Sequence, residues 1–273
     1  MRSGSKTSSG GCGAAHVPRK RFGQHFLRDR AVLARIVSAV APARGDAIVE
    51  IGPGEGVLTR ALLERVPHLV AIEIDRDLAA RLAEEFPPDR VTVYCADALE
   101  FDFSVLPLGL RVVGNLPYNI STPLLFRLVE QATQLKDLHF MLQREVVDRM
   151  VARHSTSDYG RLSVMLQTRF RIRKLFNVAA GAFRPPPKVE SAMVRLDPIA
   201  EDELPQVDPK SFADLVRRAF SARRKTLRNA LALEPDDFAA LGLDPKLRPE
   251  NLSPSDYVRI AQMRSRVNPA CAR

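Results

Sequence analysis

The sequence predicts an α/β protein with a doubly wound, Rossmann-like parallel sheet and a smaller, mainly α-helical C-terminal domain. Three observations predict this fold. Apolar strand-like runs alternate with helical patterns between residues 31 and 142, as in a parallel sheet covered on both faces. A glycine loop at residues 52–56 joins the first of these strands to a helix, which is typical of the opening unit of this fold. Residues 211–267 contain helical patterns alone.

Hydrophobic periodicity places the individual elements. Strands are predicted at residues 47–51, 69–73, 91–95, 111–114, 138–142, 169–173 and 192–196. Helices are predicted at residues 31–40, 57–66, 77–86, 122–133, 143–153, 162–167, 211–221, 225–233, 236–241 and 254–267. Thr122 is expected to cap its helix, with Pro123 at the first helical position. Residues 183–187 include three prolines, so a rigid extended loop is expected there.

The same patterns divide the chain into three parts. Residues 1–18, most of them rich in Gly and Ser, are expected to form a disordered tail. Residues 19–203 carry the sheet, and residues 204–273 form the helical domain. An acidic, proline-containing stretch at residues 197–209 is expected to link the two.

Composition excludes several classes of protein. No apolar run reaches membrane-spanning length, and the N-terminus lacks the apolar core of a signal peptide. The three cysteines lie far apart, and neither they nor the five histidines have the spacing of metal ligands. We therefore expect a reduced, cytoplasmic protein with no disulfide, no metal and no membrane contact.

Basic and acidic residues are separated along the chain. Residues 1–35 hold eight Lys or Arg and one Asp, and residues 161–195 hold eight Lys or Arg and one Glu. Between them, residues 46–110 hold five Arg and thirteen Asp or Glu. Such basic flanks suit a polyanion such as nucleic acid, although a solvated basic surface would give the same pattern.

The tetrapeptide Asn115-Leu116-Pro117-Tyr118 follows the fourth predicted strand. Pro117 fixes its own φ and biases Leu116 away from the helical region, which leaves the Leu116 carbonyl free. That carbonyl, the Asn115 amide oxygen and the Tyr118 ring suit a planar ring with an exocyclic amino group. The alternative is a proline turn with a buried tyrosine.

Acidic residues follow the earlier strands. Gly52-x-Gly54-x-Gly56 differs from the dinucleotide-binding pattern, because its third glycine comes one residue early. Glu73 ends the second strand and Asp97 follows the third, where a ribose and an adenine amino group could bind. Each carboxylate alone could be a helix cap. Together, in an acidic segment, they point to a cofactor with a positive charge, a ribose and an adenine, namely S-adenosylmethionine.

With these residues assembled, the chain closely resembles the small-subunit (16S) ribosomal RNA adenine N6,N6-dimethyltransferase family of the bacterial KsgA type. The resemblance extends from about residue 19 to the C-terminus. It rests on motifs that occur in the family's order: KRFGQHFL at 20–27, VEIGPG at 49–54, EID at 73–75, DA at 97–98, NLPYNIST at 115–122, QREV at 143–146, YGRLS at 159–163, FRPPPKV at 183–189 and FSARRKTLR at 220–228.

The resemblance implies an enzyme that dimethylates N6 of two adjacent adenosines in a hairpin loop near the 3′ end of 16S rRNA. The substrate would be the 30S subunit or its precursor, the methyl donor S-adenosylmethionine and the product S-adenosylhomocysteine. A role in small-subunit biogenesis and a monomeric state are expected, with no DNA partner. The cofactor residues implied are Gln24, His25, Leu27, Gly52, Gly54, Glu73, Asp97 and Asn115.

The implied catalytic residues are Asn115, Leu116, Pro117, Tyr118 and Phe183. Asn115 Oδ1 and the Leu116 carbonyl would accept the two N6–H bonds, while Tyr118 and Phe183 would stack on the extracted base.

One departure from the family is His25, where many members have Asn.

The basic flanks would, on this resemblance, serve as RNA contacts. The residues expected to bind phosphate are Arg223, Arg224, Lys225 and Arg228, with a second set at Arg169, Arg171, Arg173 and Lys174.

Two alternatives stay open on the sequence. One is the related methyltransferase that modifies 23S rRNA and confers macrolide resistance, against which residues 223–228 (RRKTLR) argue. The other is a non-catalytic ribosome assembly factor, against which the intact cofactor motifs argue.

Overall fold

The computed structural model describes residues 24–267. The predicted disordered tail lies outside the described residues, as do residue 19, residues 20–23 of the first motif and the last six residues of the predicted helical domain. Within the described part, no helix is long and apolar enough to cross a membrane.

The described chain contains nine strands and ten α-helices, which short 3₁₀ turns and loops connect. The strands are β1 (Phe26–Leu27), β2 (Ile48–Ile51), β3 (Leu69–Glu73), β4 (Val91–Cys95), β5 (Leu110–Asn115), β6 (Leu135–Gln143), β7 (Phe170–Val178), β8 (Phe183–Arg184) and β9 (Ser191–Pro198). The helices are α1 (Arg30–Val40), α2 (Val57–Leu63), α3 (Arg76–Glu85), α4 (Ser121–Glu130), α5 (Arg144–Val151), α6 (Arg161–Gln167), α7 (Pro209–Ser221), α8 (Leu227–Leu231), α9 (Pro235–Leu241) and α10 (Pro254–Val267).

Seven strands form one sheet in the order β4-β3-β2-β5-β6-β9-β7. The α/β prediction is confirmed, but the sheet is not wholly parallel. β9 runs antiparallel to both of its neighbours, β6 and β7. The connection from β7 to β9 contains no α-helix, and a crossover helix is the usual means of bringing a strand back parallel.

Apolar residues cover both faces of this sheet. One core lies on the face that α4 and α5 cover, and includes Leu124, Leu128 and Val147. The other lies on the face that α1 and α2 cover, and includes Ile36 and Leu62. Alternating strand residues supply both cores.

Two local predictions are wrong. Residues 183–187 are not wholly irregular, because Phe183 and Arg184 pair antiparallel with β1 before the prolines begin. Thr122 is not the cap of α4, which begins one residue earlier at Ser121. The Ser121 hydroxyl donates to the Tyr118 carbonyl instead, and Pro123 falls within the first turn, where its missing N–H costs nothing.

The C-terminal helices share a third core with α6. Phe212, Leu231 and Tyr257 of the helical region pack with Val164 and Met165 of α6. The predicted boundary after residue 203 stays a prediction, because this core reaches back across it.

Candidate active site

The candidate site lies where the direction of the chain across the sheet reverses. The chain runs outward from β2 to β4 and then returns to β5 on the other side of β2. Ligands bind at the carboxyl ends of strands at such a reversal. A cavity of about 330 Å³ opens there. The predicted cofactor residues all line it, namely Gln24, His25, Leu27, Gly52, Gly54, Glu73, Asp97 and Asn115.

Glycines allow the chain to pass close beneath this cavity. Gly52 and Gly54 have φ angles of +67° and +58°, which L side chains rarely adopt. A Cβ atom on Gly54 would lie 2.9 Å from the Phe26 ring, and one on Gly114 would lie 2.5 Å from the Ile51 carbonyl oxygen. The end of β5 can therefore lie this close to β2 only because Gly114 has no side chain.

Glu73 is fixed by the backbone around it. Its carboxylate accepts the Gly54 N–H and the Asp75 N–H, each at 3.0 Å, and is 4% exposed. Burial raises the pKa of the Glu73 carboxyl, and the two backbone donors partly oppose that rise. One side chain thus joins the glycine loop to the end of β3.

Glu50 is a second buried carboxyl on the cavity wall. It is 2% exposed and accepts a hydrogen bond of 2.7 Å from the Thr59 hydroxyl. Burial raises the pKa of Glu50 to about 7, and the nearby charge of Glu73 adds to the rise.

Asp97 and Gln24 also line the cavity. Asp97 accepts the Leu99 N–H at 2.8 Å, which holds the turn after β4. The Gln24 amide donates to Asp75 at 3.2 Å. Both contacts tie cavity side chains to residues within four positions of the end of a strand.

The cavity wall is acidic. Its lining includes four carboxylates and no Lys or Arg among the described residues, and the four are Glu50, Glu55, Glu73 and Asp97. No three His, Cys, Asp or Glu side chains between residues 24 and 267 are grouped as around a metal ion. The acidic side chains of the lining therefore favour a cation in the cavity.

The orientation of the Asn115 amide is set by the N-terminal segment. Its Nδ2 donates to the His25 carbonyl at 2.8 Å. Asn115 lines the cavity, and its Oδ1 has no hydrogen-bond partner among residues 24–267. The Leu116 carbonyl is likewise unused there, while the Leu116 N–H donates to Met141. Two neutral acceptors stand side by side.

Tyr118 is held next to these acceptors. Its hydroxyl shares a hydrogen bond of 2.8 Å with Ser191 at the start of β9. The centroid of its ring lies 5.7 Å from that of His25 at an interplanar angle of 32°. The His25 Nδ1 lies 2.7 Å from the Pro185 carbonyl oxygen, and donates to it in the corresponding tautomer. Burial raises the pKa of the Tyr118 hydroxyl, so the ring stays neutral.

Comparison with known proteins decides the family. A model of the family described as ribosomal RNA adenine dimethylase matches residues 15–265. The chain belongs to this family. It is accordingly an enzyme of the methyltransferase class.

Curated relatives and solved structures agree with this family. Ribosomal RNA small subunit methyltransferase A of Thiobacillus denitrificans is 58% identical over 247 residues, covering 90% of this chain and 97% of that protein. The protein of the same name from Bordetella pertussis is 55% identical over 254 residues, covering 91% and 94%.

Two solved structures are similar across most of the chain. A dimethyladenosine transferase from Plasmodium falciparum has a TM-score of 0.75 at 25% identity, covering 89% of this chain and 98% of that one. The 23S rRNA methyltransferase ErmE has a TM-score of 0.67 at 27% identity, covering 87% and 98%.

Phe183 does not line the dimethylase cavity. It pairs with Leu27 between β8 and β1, and its side chain is 2% exposed in the core beneath α1. Stacking of Phe183 on a base stays a prediction that requires its side chain to leave this core.

The predicted RNA contacts differ in how free their charges are. Arg223 forms an ion pair with Glu250 and donates to the Ser157 carbonyl at 3.0 Å. Arg224 and Lys225 are exposed in the turn between α7 and α8, and Arg228 is exposed on α8. Within the part of the chain that the structure describes, these three side chains have no ion-pair partner.

The second basic set is largely neutralised. Arg171 forms an ion pair with Glu203, Arg173 with Asp197 at 3.0 Å, and Lys174 with Asp148 at 2.6 Å. These acidic partners could not be predicted from the alternating pattern of β7, because they lie on other elements.

The structure also adds residues and contacts that the sequence motifs alone do not indicate. Ser191 anchors Tyr118 from 73 positions away, and the Pro185 carbonyl binds His25 from 160 positions away. His139 of β6 lines the cavity although it is 0% exposed. A single sequence carries no local signal for such partners.

Proposed function

We propose that this chain transfers two methyl groups from S-adenosylmethionine to N6 of each of two adjacent adenosines in a hairpin loop near the 3′ end of 16S rRNA. The substrate is the 30S subunit or its precursor, and the enzyme is a cytoplasmic monomer that also serves small-subunit biogenesis. The orientation of the Asn115 amide is the observation that carries this proposal. Curated relatives named for the small subunit, 54–58% identical, favour 16S rRNA.

The adenine amine is a poor nucleophile, because its lone pair is delocalised into the ring. Asn115 Oδ1 and the Leu116 carbonyl can each accept one N6–H, since the Asn115 Nδ2 is already held by His25. Two such hydrogen bonds draw N6 toward tetrahedral geometry and free its lone pair. Fixed neutral acceptors and alignment then supply most of the rate.

The cofactor fits the cavity by charge and by shape. S-adenosylmethionine supplies a sulfonium methyl that needs no further activation. The carboxylates of the wall favour its positive charge, and the glycine loop leaves room beside Phe26. Glu73 binds the ribose and Asp97 the adenine. Gln24, His25, Leu27 and Gly52 would hold the methionine end.

Tyr118 stacks on the target adenine once it has left the RNA stack. Pro117 and the hydrogen bond between Tyr118 and Ser191 keep the ring in one place. The proton on N6 leaves to water after transfer. The second methylation uses the one remaining N–H, so one of the two acceptors becomes free.

The exposed cations at residues 224, 225 and 228 bind phosphates and set the register of the RNA. Specificity for this RNA comes from its shape and from the displaced adenosine. Because Arg223 is already paired with Glu250, its contribution is smaller than its motif implies.

The test is transfer of tritiated methyl groups to 30S particles that lack the modification, with the modified bases mapped by primer extension. Stops at two adjacent adenosines near the 3′ end of 16S rRNA are expected. Two other outcomes would replace the proposal. Stops in 23S rRNA alone would favour the activity named for ErmE, and particle binding without transfer would favour an assembly factor.

A further inference from the structure

Glu50 is a buried carboxyl on the cavity wall, and no step of the proposed methyl transfer uses it beyond its place among the four carboxylates of the wall. Its only hydrogen bond within the described residues comes from the Thr59 hydroxyl, at 2.7 Å. Glu73, on the next strand, accepts two backbone N–H bonds. Hydrogen bonds to the charged form favour ionisation, so Glu73 is the better stabilised anion of the two.

The charges around Glu50 do not compensate for its burial. On α2, Arg60 attracts Glu50 weakly, because its guanidinium binds Glu85 at 2.5 and 2.6 Å. On β3, Glu73 repels it. On β6, His139 occupies the same row of the sheet, two strands away across Val113.

Two buried carboxyls in a cavity that no Lys or Arg of the described residues lines cannot both ionise easily. Glu50 therefore holds a proton near neutral pH while the cavity contains no cation. Its pKa of about 7 agrees with this geometry.

The proposed donor and its product differ in one charge. The donor carries a sulfonium cation, and the product left after methyl transfer is a neutral thioether. Resting on the proposed function, we propose that Glu50 makes the cavity selective for the cationic donor over the neutral product, by releasing its proton to solvent when the cation enters and rebinding one after transfer. The residue is a specificity determinant and does not touch the reacting amine.

The pH dependence follows from the sign of this exchange. A cation in the cavity favours the ionised carboxyl and lowers its pKa, so donor binding releases a proton. Donor affinity is therefore expected to fall as the pH decreases from about 7.5 to about 5.5. Product affinity should change little over the same range, because the thioether has no charge to favour either form.

Isothermal titration calorimetry measures the number of protons released on binding. Donor and product are titrated separately into the full chain at about pH 6.5, in buffers of different ionisation enthalpy. Roughly half to one proton is expected to leave per donor bound, and close to none per product bound. No methyl transfer is needed for this readout.

Glu50→Gln should abolish the proton release and reduce the preference for donor over product by about tenfold. Unchanged product affinity would confirm that the variant is folded. Thr59→Val is the second variant, because it removes the hydroxyl donor and should shift the release to higher pH. Glu55→Gln is the matched control: its carboxylate lines the same cavity but lies 2.5 Å from Arg28, so the number of protons released should not change.

Donor binding with no proton release in the unmodified chain would overturn the inference and leave the proposed function intact. So would equal proton release from Glu50→Gln. By contrast, absence of any donor binding would contradict the proposed function itself. The two failures are therefore distinguishable in one set of titrations.

Discussion

The cavity and the basic turn between α7 and α8 differ in how firmly their side chains are held. In the cavity, Asn115 and Tyr118 are each fixed by a hydrogen bond of 2.8 Å to a distant part of the chain. In the turn, Arg224 and Lys225 have no ion-pair partner among residues 24–267. Chemistry depends on position within a fraction of an ångström, whereas phosphate binding depends mainly on charge.

This difference predicts two kinds of mutational effect. Substitutions in the cavity should change the methyl transfer step or cofactor affinity and depend little on salt. Substitutions in the basic turn should change RNA affinity alone, in small and salt-dependent steps.

The largest effect is expected for Asn115→Ala. Removing one of two fixed acceptors should lower the single-turnover rate of methyl transfer to 30S particles by about 10²–10³-fold, with particle binding unchanged in a filter assay. Asn177→Ala, at an exposed asparagine of β7, is the control and should retain the full rate. Full activity of Asn115→Ala would refute the role of this side chain.

A smaller effect is expected for Glu73→Ala. Loss of the carboxylate should weaken cofactor binding by about 10–100-fold in a calorimetric titration, since a buried charged acceptor for a hydroxyl is worth about 1.5–3 kcal/mol. It should leave RNA binding unchanged.

The same change leaves the Gly54 and Asp75 N–H groups without their acceptor, so Tm should fall as well. Glu73→Gln keeps one acceptor oxygen for these N–H groups but loses the charge. It should therefore weaken cofactor binding while lowering Tm less than Glu73→Ala does, which separates the effect on affinity from the effect on stability. Unchanged cofactor affinity in both variants would rule out the ribose contact.

The smallest effects should come from the outer cations. Arg224→Gln and Lys225→Gln should each weaken 30S binding by about threefold to tenfold and reduce the slope of log affinity against log salt by about 1. Arg173→Gln is the paired comparison, because its charge is already matched by Asp197 at 3.0 Å. An equal slope change for Arg173→Gln would show that ion pairing does not distinguish the two sets.

Features encoded by neighbouring residues were predictable from the sequence. The strands ending at Glu73 and Cys95 have the bounds that their apolar runs predict. The glycine loop takes the left-handed conformation that only glycine adopts without strain. These features share one property, which is that each is decided within a few residues.

Features encoded by distant partners were not predictable. The antiparallel direction of β9 depends on a connection without a helix, and the pairing of β8 with β1 joins segments more than 150 residues apart. The neutralised charges of β7 depend on acids such as Glu203 and Asp148. Periodicity predicted the start of β7 and its basic face, but the strand ends at Val178, five residues beyond the predicted end. Only the fold could assign the acidic partners.

The long separations that close the cavity also set the order in which the protein can become active. His25 meets Pro185 across 160 positions, and Tyr118 meets Ser191 across 73. Both contacts need residues near position 190. A nascent chain that ends before those residues contains the glycine loop and Asn115 but lacks the partners that hold His25 and Tyr118 in the cavity. Loop closure over such distances is slow compared with local folding. Methyl transfer activity therefore arises late in synthesis. Chains truncated before position 190 are expected to have no activity on ribosomal subunits.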